Sequence, residues 1–139
     1  MDAPRLDVAR LARDQAINRV AMGTALLVAP GIVGTIWAGP QARDDRAKVL
    51  ARALGARDLT LGLAALVALR EGDRTWAKRS FAAQAWADAV DFIAITAAAD
   101  RLPRLSVLGG GFMAASSAAV AAGYARRLDR DAAAMPPPR

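Results

Sequence analysis

The sequence predicts an all-α integral membrane protein, a bundle of four helices with both termini in the cytoplasm. Three observations predict it. Hydrophobic residues fill 55% of the 139 positions while aromatics supply 5%. A soluble core of that composition would be mostly alanine, whose methyl group gains little on burial; in a bilayer, small residues let helices approach closely. Two runs, 20–39 and 105–125, contain no charged residue and match the roughly 20 residues needed to cross a bilayer. The connectors between the apolar blocks (40–49, 70–80 and 100–104) are short and charged, leaving room only for hairpins.

Residues 1–16 precede the bundle as an amphipathic segment. Asp7, Arg10, Asp14 and Asn18 fall on one helical side, and Val8, Ala12 and Ala16 on another. Such a segment lies on the membrane surface or extends the first span. The domain proper covers 17–126. Its first block, 20–39, is too long for a signal-peptide core. Pro30-Gly31 at its centre should kink or break the helix, which a membrane helix tolerates. Trp37 near its end is placed as an interfacial anchor.

The second block, 50–69, contains Arg52, Arg57 and Asp58, and the third, 81–99, contains Gln84, Asp88 and Asp91. The fourth, 105–125, is rich in Gly, Ala and Ser. Gly109, Gly110 and Gly111 have no Lys-Ser/Thr after them, as a phosphate loop requires, and are assigned to close helix packing. Ser116 and Ser117 are expected to bond within their own helix. Residues 127–139 form a disordered tail, because three successive prolines cannot continue a helix. Orientation follows from the cations outside the blocks. Arg5, Arg10, Arg13, Arg19, Arg70, Arg74, Lys78, Arg79, Arg126, Arg127, Arg130 and Arg139 lie on one side, and only Arg43, Arg46, Lys48, Arg101 and Arg104 on the other. The positive-inside rule therefore puts both termini in the cytoplasm.

Several function classes fall away. Without cysteine or histidine there are no disulfides, thiolate sites, zinc centres or His-based triads; no metal or cofactor is expected. The net charge of +6 comes from scattered cations rather than a basic stripe interleaved with aromatics, so nucleic acid is not an expected partner. The expected partners are the bilayer and either a second copy or another membrane protein.

The charges inside the blocks are the candidate site. At 1.5 Å per residue, Arg57 lies about 18 Å and Asp58 about 16.5 Å from Leu69 at the cytoplasmic end of block two. In block three, Asp91 lies about 15 Å and Asp88 about 10 Å from Phe81. A charge at mid-bilayer costs roughly 2.5–3.5 kcal/mol on insertion scales, so these groups must face inward and meet. Asp88 and Asp91 share a face that Gln84 extends by a turn. Gly55, Asp58 and Gly62 fall in a line suited to close approach. Arg57 points about 100° away from Asp58, towards a different neighbour or snorkelling to the surface. One arginine against three aspartates implies that a carboxyl keeps its proton or another cation enters. The cluster either fixes helix register or binds a ligand, proton or substrate.

Gly55-Ala56-Arg57-Asp58-Leu59-Thr60-Leu61-Gly62, opening the second of four spans, with Asp88-Ala89-Val90-Asp91 in the third, resembles the small membrane proteins of the domain-of-unknown-function 4267 family. These are distantly similar to the DoxX-like four-helix membrane proteins. The resemblance covers roughly 17–126 and implies a multi-pass protein of the cell membrane. It implies no activity, so no catalytic residue is carried over. The function expected is that of an accessory membrane protein binding a partner or a lipid-like ligand. The alternatives are a proton-coupled carrier, or an enzyme on an apolar substrate with Asp58, Asp88 or Asp91 as acid or base and Arg57 as stabiliser.

Overall fold

Ala29-Pro30 divides the first apolar block. Proline lacks the N–H that would continue the ladder, and its ring clashes with the carbonyl four residues back; Pro30 instead starts a new helix, as its fixed φ favours. A computed structural model describes residues 8–133, with the backbone alone at Val8, Trp37, Asp129 and 131–133; the anchor role expected of Trp37 and the three prolines of the tail lie outside the described residues. The chain is all-α: α1 Val8–Val28, α2 Pro30–Ala38, a 3-10 turn Gly39–Arg43, α3 Asp45–Glu71, α4 Arg74–Ala97 and α5 Arg104–Ala133, with no strand among the described residues.

Two expectations change here. The block read as one span at 20–39 is not one helix. Its first half belongs to a helix described from Val8, and α2 departs from it at 119°. The segment 8–16 is therefore part of α1, with Ala12 and Ala16 fully buried in the core. At the other end α5 runs on to Ala133, so 127–133 are helical rather than disordered.

Local chemistry sets the remaining boundaries. The Asp44 carboxylate accepts a hydrogen bond from Arg46 N (2.9 Å) to start α3, and that of Asp73 accepts one from Trp76 N (2.8 Å) to start α4. These satisfy first-turn donors that have no intrahelical partner. Gly72 ends α3 in the left-handed region at φ +71, which an L side chain rarely adopts.

The helices associate as two pairs, α1 with α3 and α4 with α5, which meet along a narrower seam. The first pair is packed backbone against backbone. A Cβ at Gly23 would stand 2.5 Å from Leu59 N, one at Gly55 2.8 Å from Gly23 O, and one at Gly62 2.9 Å from Ala16 O. Gly55 and Gly62 thus stand where the backbones of α1 and α3 come closest. Gly110 contributes less, its Cβ position being 3.3 Å from Ile95 Cδ1; Gly111 makes ordinary contact with Phe92, and Gly109 is half-buried. All four long helices meet in one apolar core, where Ala12, Ala16, Ala65 and Ala121 surround the edge-on ring pair Phe81–Tyr124, 4.7 Å between centroids.

By length and composition one helix among the described residues, Arg104–Leu128, is apolar enough to cross a membrane, or two if the bent α1–α2 pair is one span. In that α5 stretch only 11% of the most apolar window is buried.

Candidate functional site

Five charged side chains form an unbranched chain across the seam between the helix pairs. At one end the Arg57 fork on α3 donates to both carboxylate oxygens of Asp91 on α4, 2.9 Å to Oδ1 and 2.7 Å to Oδ2. This bidentate geometry is the strongest form of the interaction. The same guanidinium reaches back to Asp58 Oδ1, at 3.1 Å from Nη2 and 3.3 Å from Nε. Asp58 Oδ1 also accepts from Arg19 Nη1 on α1 at 2.8 Å. Arg19 Nη2 then donates to Asp88 Oδ2 on α4. The order is Asp91–Arg57–Asp58–Arg19–Asp88, alternating in sign and acidic at both ends.

Its two ends differ in environment. The Arg57 and Asp91 side chains are 31% and 32% exposed, those of Arg19 and Asp88 only 7% and 6%. Around the buried end the polar groups interlock. Ser117 Oγ on α5 accepts from Arg19 Nη2 at 3.1 Å and from Gln15 Nε2 at 2.8 Å, and the Ser117 carbonyl accepts from Gln15 Nε2 at 3.0 Å. Every long helix therefore contributes to the site.

The structure brings together four of the residues singled out in the sequence: Arg57, Asp58, Asp88 and Asp91. Gln84 shares their face of α4 but stands apart from the ion pairs, fully buried and donating to the Leu61 carbonyl at 3.1 Å. Arg57 both serves Asp91 and returns to Asp58. Asp88 pairs with an arginine that sequence reasoning had placed elsewhere.

Three site residues were missed. Arg19 was counted among the cytoplasmic flanking cations, because the apolar run starts at Val20; it is instead 8% exposed at the centre of the bundle. The tally of charges becomes two arginines against three aspartates, and one cation leaves the cytoplasmic count. Ser117 was expected to bond within its helix, as Ser116 does through the Met113 carbonyl (3.1 Å); it instead accepts from two other side chains. Gln15 was not considered. A signal existed: Ala12, Ala16, Arg19 and Gly23 recur at spacings of four, three and four, the stripe of a packed helix face.

Two open grooves lie elsewhere, and neither is lined by a member of the charge chain. One, about 450 Å³, lies at the α1–α2 break beside Arg43, Lys48 and Arg52; the other, about 430 Å³, lies at the α3–α4 turn. Among the described residues no group of three or more acidic side chains is placed to hold a metal ion. Compared with known proteins, the chain matches no family model, no curated protein and no solved structure.

Proposed function

We propose that this chain is a multi-pass integral protein of the cell membrane, both termini cytoplasmic, acting as an accessory protein that binds a second copy, another membrane protein or a lipid-like ligand. One observation carries the membrane reading: large apolar side chains stand outward on the helices while charged side chains pair inside. Arg19, Gln84 and Asp88 are buried, while large apolar side chains face outward, among them Phe112 at 75% and Trp86 at 74% exposed, with Val28, Ile32, Ile93, Leu105 and Leu108. In water such an arrangement leaves large apolar side chains against solvent, as a surface meant for a partner or a membrane does. In lipid it is the stable one, since intramembrane charges face the bundle interior and pair with one another. The helices α3 and α4 miss the composition of a simple span because they hold the charge chain. In this reading α1 crosses from its cytoplasmic start at Val8, and α2 lies along the opposite interface after the break at Pro30.

The charge chain acts first as a joint. It links α1 and α3 to α4, with Ser117 of α5 anchored beside it. The resemblance of GARDLTLG to a family of small membrane proteins agrees with this reading and adds no activity. Extraction tests it: the expressed protein stays in the membrane fraction through alkaline carbonate washing and leaves only with detergent, and release by carbonate overturns the reading. A proton-coupled carrier is favoured by one observation, the surplus of a carboxylate over the guanidiniums. Asp91→Asn in proteoliposomes would then abolish pH-dependent uptake while leaving the fold intact; a simple loss of stability assigns the cluster to structure alone.

A further inference from the structure

Ser80, Gln84 and Asp88 follow one another at i, i+4 and i+8 on the buried face of α4. Ser80 Oγ and Gln84 Oε1 have no hydrogen-bond partner although both are sealed from the surface. The Gln84 amide N–H₂ is engaged by the Leu61 carbonyl, so its oxygen is left as an acceptor with no donor. Buried polar atoms in this state are as a rule met by ordered water. The row also has an open end and a charged end. Ser80 and Leu61 both line the groove at the α3–α4 turn, with Asp73, Thr75, Trp76 and Arg79 at its mouth. At the other end Asp88 is bound by Arg19.

We propose that a file of water molecules runs along this face of α4, from the groove at the α3–α4 turn past Ser80 and Gln84 to Asp88. The spacing suits it. Successive members are about 6 Å apart along the helix, and two hydrogen bonds of about 2.8 Å through one water span that distance. The whole file covers about 12 Å. Its consequence is one-sided access: water, and protons with it, reach the charge chain from the face carrying the α3–α4 turn, which is cytoplasmic in the topology proposed above. The inference rests on that topology for its sidedness.

The absence of cysteine from the chain makes the test direct. Ser117→Cys places a near-isosteric thiol beside Arg19 at the inner end, and silver ion, a water-sized thiol reagent, is applied to proteoliposomes. Thiols left unreacted are then counted with a maleimide after denaturation. The thiol is expected to react, and Gln84→Leu in the same chain to slow it by about tenfold or more, since only hydrated thiolate is available to the metal. Ser80→Val is the second block should Gln84→Leu disturb the fold. A thiol that stays unreacted, or one that reacts equally fast with both blocks, overturns the file. Ile93→Cys, on the outward apolar side of α4, separates the two proposals. Silver reaction there refutes the bilayer reading and leaves the file to be judged on Ser117→Cys alone.

Discussion

Replacing Arg19 by methionine should destabilise the fold more than any other single change in the charge chain. The side chain is 7% exposed and serves Asp58, Asp88 and Ser117. Methionine keeps most of its length and none of its donors. Asp88 then loses its guanidinium, Asp58 keeps only Arg57, and three carboxylates face a single cation. Removing one partner of a buried pair costs about 3–5 kcal/mol, chiefly because the other charge is left uncompensated. Arg57→Met is the internal comparison. Arg57 and Asp91 are about a third exposed, so solvent screens what remains, and Asp58 keeps Arg19; the loss should be about 1–2 kcal/mol. Unfolding in detergent micelles, followed by helical circular dichroism against a denaturing surfactant, reads the difference. The double change Arg19→Met with Asp88→Leu should recover about half of the loss or more, because an apolar pair can replace a buried ion pair at little net cost. If Arg57→Met destabilises as much as Arg19→Met, Arg19 is not the buried centre of the chain, and the reasoning from burial fails.

Gly62→Val, whose Cβ would meet Val20 Cγ2 at 2.8 Å and the Ala16 carbonyl at 2.9 Å, should cost about 1–3 kcal/mol by overpacking and weaken crosslinking between cysteines placed on α1 and α3. Gly123→Ala meets nothing within 4 Å and should stabilise by about 0.5–1 kcal/mol through helix propensity, seen as a raised Tm. Gly72→Ala, at φ +71, should cost about 1 kcal/mol for the left-handed conformation, with the same readout. Lys48, bonded to Asp45 at 2.8 Å, holds that carboxyl below its ordinary value of 3.8. A depressed pKa gives a contribution that is present above 3.8 and disappears as pH falls through the lower folded value; carbon NMR should show the Asp45 midpoint rising in Lys48→Met.

The inward-facing charges of α3 and α4 were legible because cost dictates direction. A carboxylate and a guanidinium in apolar runs must meet, and heights counted at 1.5 Å per residue place Arg57 opposite Asp91. The glycines of α3 were legible from their alignment with Asp58. What escaped notice shares one cause. A span was equated with an uncharged run, so the first block was drawn from Val20 and Arg19 fell just outside it. The helix is described from Val8, with Arg19 near its middle and the break at Pro30 at its end. That shift of about three turns moves Arg19 from flank to centre. Ser117 was assigned its commonest partner, its own helix, because the side chains that capture it are 98 and 102 residues away. Long-range polar partners leave no trace in local periodicity.

The placement of the ions follows from how the pairs are made. Between α1 and α3 the glycines bring backbones into contact, and the Arg19 guanidinium extends past them to Asp58 and Asp88. At the narrower seam between the pairs it is arginine that bridges, with a long apolar stem and a planar head. Filling it with paired ions also fixes register. Sliding one pair past the other by a single helical turn moves every partner by about 5.4 Å. That parts the fork between Arg57 and Asp91 and strips Arg19 from Asp88. An alanine seam would barely register such a slip, since one methyl group replaces another. The joint leaves one carboxylate in excess of the two guanidiniums, with Asp91 a third exposed at one end and Asp88 buried at the other. Along the proposed file, the unpartnered atoms of Ser80 and Gln84 stand in line between an open groove and Asp88, so that water reaches the chain at the end where burial is deepest.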